Sequence, residues 1–516
     1  MPVSPAARIV AGMSCTTSLT NLSASELAQA IARDQVSAVE AVEAHIARIE
    51  EVNPRLNAVV VPRFDDARKQ AHAADRLPAA QRGPLHGLPV TVKECFDLAG
   101  APSTAGLAAR SNHRATADAP LVAHLRQAGA IVLGKTNLSQ LLLYVEADNP
   151  VYGRTNNPWN ADRSPGGSSG GEACIVAAGG SALGLGTDVG GSVRVPAHCC
   201  GIHSLKPTPG QLPVEGTVDI VGAVARDAIP DSGGLLARFV ADIRLGLDAL
   251  SPSPTRRLQL PGVRVGFYED DGYFPASPAI RRAVREAAAV LNQQGCQVAE
   301  FTPPDVSEAL AIFYGLFGAD GGAHWRAQLD GGTPDPRIKD LLTLAGMPNA
   351  LRPLAATMLR LQGQPRLART VRVTGKANDI QAAQLVQRRD VYRQRFAAAM
   401  SAAGVDVLIC PPCAVPAFRH GSTRELGPAS VSYTCVYNLL AYPAGVVTTT
   451  KVRAEEASGH PGSREKMLAA ARAVDQGSAG LPVGVQVAAG PGGEDIVLAV
   501  MEALEASSEQ RSTARL

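Results

Sequence analysis

Hydrophobic positions fall into two alternating rhythms along the chain. Ser23 and Ser37 each precede a glutamate by three residues, Glu26 and Glu40, and after the second Val39, Val42, Ile46 and Ile49 recur at helical spacing. The pattern predicts two amphipathic helices with capping boxes, the second stopping at Asn53-Pro54. Short apolar runs follow at Leu56 to Val61, Leu88 to Val92, Ile131 to Leu133 and Val405 to Ile409. Between them lie helical stretches such as Leu121 to Ala128 and Ala279 to Leu291. Strands alternating with helices predict an α/β layer fold. The chain closes the same way, with LPVGVQVAA as a buried strand and EDIVLAVMEALEA as a helix.

Two stretches interrupt the alternation. Residues 251–262 (SPSPTRRLQLPG) read as a connector, and residues 451–480 read as an exposed insertion carrying a short helix of its own. The expected organisation is a flexible extension over residues 1–20 and one domain over 21–510. An internal boundary falls near 250–262, with both parts supplying strands to one sheet.

Composition removes several function classes. The 516 residues carry a net charge of only +2, which argues against nucleic acid as a partner. With 46% hydrophobic and 19% charged residues, the chain has the material for a large core. No run of 18 apolar residues predicts a membrane span, and the start, MPVSPAARIVAGMSC, lacks the apolar stretch of a secretion signal. A lipid-modified Cys15 is disfavoured for the same reason, and Met13 is an alternative start. Nine scattered cysteines suit a reducing, cytoplasmic setting rather than a disulfide framework. The lone pair Cys410-Pro-Pro-Cys413 would need His198, Cys199, Cys200 or His203 to complete a metal site. No second pair has the spacing for it, so buried thiols and no metal are expected.

The chemistry concentrates in residues 164–208, SPGGSSGGEACIVAAGGSALGLGTDVGGSVRVPAHCCGIHSLKPT. Gly-rich pieces alternate there with Ala- and Leu-rich ones, so the glycines mark tight turns between ordered elements. A phosphate cradle is excluded because no lysine follows the glycines, and Val189 stands where a dinucleotide motif needs glycine. Gly166-Gly167-Ser168-Ser169-Gly170 matches GxSxG, which would make Ser168 the nucleophile of an α/β-hydrolase. Against this, Pro165 replaces the expected strand, and the later histidines, His198, His203, His324, His420 and His460, show no distinguishing context.

A third reading uses both serines and an upstream lysine. GLPVTVKECFD, GGSSGG and GLGTDVGGSVRVP together resemble the amidase signature family. VKECF, VRVGFYEDDGYFPASPAIRRA and SYTCVYNLLAYPAGVV are similar to its fatty acid amide hydrolase branch. The resemblance implies a large mixed β-sheet sandwiched by helices, and a Ser-Ser-Lys set made of Lys93, Ser168 and the nucleophile Ser192. It implies no organic cofactor or metal, an acyl amide as substrate, and a homodimer. It also places the backbone at Leu142 against the substrate. Two alternatives stay open: the glutaminase-like A subunit of a tRNA-dependent amidotransferase, and the esterase using Ser168.

The chemistry agrees with these residue types. Ser192 follows two glycines, so the N–H groups of Val189, Gly190, Gly191 and Ser192 are placed to converge on a developing oxyanion. Lys93 acts as a base only when neutral, which burial favours. Ser168 would carry the proton between Ser192 and Lys93 and then to the leaving nitrogen. Ser169 is expected to orient Ser168, and Asp188 and Arg194 to fix the loop. Finally, residues 341–370 combine Leu354, Met358 and Leu361 with Arg352, Arg360, Arg366 and Arg369 and no acidic residue. That composition fits a substrate-entry cap in weak, peripheral contact with an anionic lipid surface.

Overall fold

The computed structural model describes residues 19–219 and 222–508. Cys15, Met13 and most of the expected N-terminal extension lie outside the described residues; its last two positions, Leu19 and Thr20, are buried. Both capping boxes form: the Ser23 and Ser37 side chains accept the N–H groups of Glu26 and Glu40, whose carboxylates accept the serine N–H groups. The second helix, Ala38–Leu56, runs past the expected stop, carrying Pro54 in its last turn. It ends where Asn57 turns left-handed at φ 51°.

The strands of the first part are β1 (Val59–Pro62), β2 (Pro89–Lys93), β3 (Ile131–Thr136), the short β4 (Asp148–Asn149) and β5 (Gly153–Arg154), β6 (Leu183–Asp188), β7 (His203–Lys206) and β8 (Ser232–Ala237). The second part adds β9 (Arg264–Phe267), β10 (Gln297–Glu300), β11 (Val407–Cys410), β12 (Ala444–Lys451) and β13 (Pro482–Ala489). All but β4 and β5 join one eleven-stranded sheet in the order β1-β3-β2-β6-β8-β7-β12-β13-β11-β9-β10. The sheet is mixed: β2 runs parallel to β3 and β6, whereas β6 and β8, and β7 and β12, are antiparallel. The two halves of the chain therefore meet where β7 pairs with β12, on either side of the extended connector at 251–262.

Two short, wholly buried helices, Gly170–Ala177 and Arg194–Cys200, pack against one another beside the sheet centre. Glycine is required at the start of the first helix and in the loop before it. A Cβ at Gly171 would come 2.6 Å from the Asn137 carbonyl, and one at Gly167 would meet the Glu146 N–H at 2.5 Å.

The short helix expected within residues 451–480 is present at Lys466–Asp475, but the stretch is only partly exposed. Val452, Met467, Ala470, Ala471 and Val474 of this stretch are buried, and the helix Lys466–Asp475 packs on Thr423–Leu426. His460 Nδ1 donates to Asp475 at 2.5 Å, and the other carboxylate oxygen takes the Ser277 hydroxyl at 2.6 Å. His460, Glu465 and Asp475 are buried among internal partners, while Arg453, Glu455, Arg464, Lys466 and Arg472 stay exposed.

Candidate active site

Strand β2 delivers Lys93 as its last residue, at the heart of the sheet and fully buried. Its ammonium donates to Ser168 Oγ at 2.7 Å and to Thr187 Oγ1 at 2.9 Å. Burial lowers its pKa to about 8, against the pull of the nearby Cys95, Asp188, Glu172 and Asp231. Thr187 comes from the adjacent parallel strand β6 and is a partner that sequence reading missed, since a threonine in a strand carries no distinguishing signal.

Glu172 was likewise not legible. It enters from the first turn of the helix Gly170–Ala177 and accepts from Thr91 Oγ1 at 2.7 Å and Thr136 Oγ1 at 2.8 Å. Thr91 and Lys93 are two apart on β2 and share a face of the sheet, which brings this carboxyl beside the lysine. Burial raises the Glu172 pKa to about 8, while its two hydroxyl donors and the Lys93 charge pull the other way.

Ser168 sits in the loop before that helix, in a chain segment that no strand precedes, and its side chain is fully buried. Ser192 ends the turn after β6. It lines a cavity of about 780 Å³ together with Leu142, Val189, Gly190 and Phe313, whereas Ser168 does not. No hydrogen bond joins the two serine hydroxyls; Ser168 is bonded to Lys93 and not to Ser192. Ser169 does not touch the Ser168 hydroxyl as expected. Its N–H donates to the Ser192 carbonyl at 3.1 Å, and its hydroxyl to the Thr187 carbonyl at 3.4 Å.

The turn itself is held by a buried ion pair. Asp188 accepts Nε and a terminal nitrogen of Arg194 at 3.0 and 2.9 Å, and also the N–H groups of Gly191 at 2.7 Å and Val193 at 3.2 Å. Burial alone would raise the Asp188 pKa, but the Arg194 guanidinium holds it well below the usual carboxylate range. Arg194 reaches on to the Thr434 carbonyl, Gln486 and Asn438. The second half of the chain thereby fixes a turn belonging to the first.

This arrangement corrects the expected oxyanion site at one position. The Gly191 N–H is taken by Asp188, which leaves those of Val189, Gly190 and Ser192, all residues that line the cavity. Among the described residues, the N–H groups of Val189, Gly190 and Ser192 find no acceptor within the protein. Gly191 is a glycine for backbone reasons: its φ is +125°, and a Cβ there would overlap Thr434 Oγ1. Gly190 differs, because a Cβ would meet only the Phe313 ring, at 3.4 Å, and would project into free space.

Leu142 lines the cavity from a strained turn in which Leu141 and Leu142 both have positive φ. Phe313, Phe317, Leu341, Leu344 and Leu367 form an apolar wall, with Phe313 and Phe317 stacked at 5.4 Å. No histidine of the described residues lines this cavity. His198 lies fully buried with Nε2 3.1 Å from the Val415 carbonyl, and burial lowers its pKa to about 4. Cys410 and Cys413 are buried free thiols near Tyr437 and Ser430 respectively.

The region expected to form a cap is a pair of helices, Arg352–Leu361 and Pro365–Val373, broken at the prolines. Leu354, Met358 and Leu361 are 62%, 53% and 85% exposed. Arg352 is not part of the rim: it is buried and donates to the carbonyls of Val371, Leu344 and Met347. Arg366 pairs with Glu465 at 2.6 Å; Arg360, Arg369 and Arg372 are exposed beside the apolar face, Arg369 within 3.9 Å of the Asp305 carboxylate.

Known proteins share this organisation. Residues 40–498 match the family model described as Amidase. Fatty acid amide hydrolase 1 of Caenorhabditis elegans is 32% identical over 502 residues, covering 93% of this chain and 87% of that one. Fatty-acid amide hydrolase 1 of Sus scrofa is 34% identical over 509 residues, covering 93% and 84%. A solved structure of a fatty acid amide hydrolase superposes with a TM-score of 0.80 at 25% identity, covering 95% of this chain and 86% of that one. The chain thus belongs to the amidase family.

Proposed function

We propose that this hydrolase cleaves the C–N bond of acyl amides with long or bulky apolar acyl groups, through an acyl-enzyme on Ser192, with Ser168 and Lys93 moving the proton. The observation that carries the reading is the buried Lys93–Ser168 hydrogen bond next to Ser192, which opens onto the large apolar-walled cavity. Neutral Lys93 draws the Ser168 proton as Ser168 takes that of Ser192, once rotation of a hydroxyl closes the gap between the serines. The Ser192 oxygen attacks the amide carbon, and the free N–H groups of Val189, Gly190 and Ser192 receive the developing oxyanion. Return of the proton through Ser168 to the nitrogen lets the amine leave. Water then cleaves the ester by the same route in reverse.

The cavity volume lies within the roughly 300–1,000 Å³ usual for small-molecule sites. Its Phe and Leu wall favours an acyl chain over a polar amino acid side chain such as glutamine. The test is a series of amides with one amine and acyl chains from short to long. The rate constant kcat/KM rises with chain length on this reading and is highest for short polar amides on the glutaminase reading.

The exposed leucines and methionine of Arg352–Leu361, flanked by Arg360, Arg369 and Arg372, support a weak, salt-sensitive contact with anionic lipid surfaces at the acyl entrance. Among the described residues, no helix is long and apolar enough to cross a membrane.

A further inference from the structure

Ser192 borders a second, much smaller space. A niche of about 10 Å³ lies against Ser168, Thr187 and Ser192, with Thr217, Val218 and Asp231 also lining it. Leu142, Val189 and Ser192 line both spaces, so the nucleophile stands between a large apolar chamber and a small polar one. The niche is about the size that holds a single water. The lining residues Ser168, Thr187, Ser192 and Thr217 carry hydroxyls, which suit an occupant that offers N–H or O–H groups, and a methyl group there would strip them of partners. The wall is anchored, because Thr217, next to Val218, bridges to Phe96 just beyond β2.

Resting on the reading of Ser192 as nucleophile, we propose that the niche receives the leaving nitrogen, and that the chain selects primary amides over N-substituted ones. With the acyl chain in the large cavity and the oxyanion on the 189–192 turn, the scissile nitrogen falls on the side of Ser168, its proton donor. The C–N bond breaks with its electron pair staying on nitrogen. The nitrogen takes the proton that left Ser192 and departs as ammonia. One water of similar size fills the vacated niche, adds to the ester carbon and returns a proton to Ser192, giving the carboxylic acid. Asp231 and Thr187 border the niche that takes the second N–H of a primary amide, the one that an N-alkyl amide replaces with carbon.

The test compares a long-chain primary amide with its N-methyl and N-(2-hydroxyethyl) counterparts, in the wild-type chain and in Val218→Ala, which enlarges the niche without touching a hydroxyl. A surplus methyl in a closed pocket is worth roughly 10- to 200-fold in specificity. The expected result is a primary to N-methyl ratio in kcat/KM above tenfold, reduced by Val218→Ala. A ratio below tenfold, or one that Val218→Ala leaves unchanged, overturns the proposal while leaving amide hydrolysis at Ser192 intact. Failure of a fluorophosphonate to label Ser192 in the same preparations overturns the nucleophile assignment and this proposal together.

Discussion

The Lys93 ammonium lies 2.7 Å from Ser168 Oγ with both side chains fully buried. Burial that readies the lysine as a base also makes it costly to the fold. Its folded pKa of about 8 lies below the ordinary 10.5, so between these values the unfolded chain binds a proton that the folded chain does not. Stability from this group therefore rises with pH across that window, and the full cost is present below about pH 8. Replacing Lys93 with Met is expected to stabilise the fold at pH 7 by at most ~3 kcal/mol, an advantage that fades toward pH 10.5. Hydrolysis falls by several orders of magnitude in the same variant, and wild-type kcat/KM climbs as pH passes 8. Denaturant titrations and pH profiles check both; a flat profile between pH 6 and 9 contradicts a lysine base.

Gly190 and Gly191 are expected to respond differently to the same substitution. Gly191→Ala places a side chain at φ +125° against Thr434, and should cost at least about 2 kcal/mol of stability. Gly190→Ala meets only Phe313 at 3.4 Å, so its melting temperature should stay near wild type while turnover falls, since the methyl projects into the cavity beside Ser192. Thermal melts and kcat on both variants separate the two roles.

The Asp188–Arg194 pair is fully buried and ties the Ser192 turn to Thr434, Gln486 and Asn438. Arg194→Gln strands a buried carboxylate and should lower stability by about 3–5 kcal/mol, measured by urea denaturation. Arg194→Lys recovers little of this, since one ammonium cannot replace the guanidinium fork. A loss under 1 kcal/mol in Arg194→Gln would show that the turn holds its shape without the pair.

Changing Leu354, Met358 and Leu361 together to Gln or Ser should raise KM for long-chain amides several-fold and leave short-chain amides unchanged. Sedimentation with anionic vesicles should fall in the same variant, and fall in wild type as salt is added. Equal effects on both substrate lengths, or none, would remove these side chains from the entrance.

Much of this site was legible because its residues come in distinctive runs. Ser168, Ser192 and Lys93 sit in glycine-rich or strand-end motifs, and the structure brings Lys93 and Ser168 into contact across 75 residues. Thr187, Glu172 and Asp231 were not legible, since each depends on which strands lie adjacent and sequence does not state strand order. The direction of the Gly191 N–H was equally hidden: glycine spacing suggests four converging donors, and only the buried Asp188 carboxylate shows that one is diverted. Residues 451–480 misled in part for a related reason. Polar composition reads as solvated surface, but His460, Asp475 and Arg366 with Glu465 find their partners inside.

The central claim is that Ser192, and not Ser168, forms the covalent bond to the acyl group. Mass spectrometry of peptides after treatment with a fluorophosphonate measures this directly, on the wild-type chain and on Ser192→Ala and Ser168→Ala, each verified as folded. The adduct is expected on Ser192 in wild type, absent from Ser192→Ala, and formed on Ser192 but much more slowly in Ser168→Ala. An adduct on Ser168 that persists in Ser192→Ala would contradict the account.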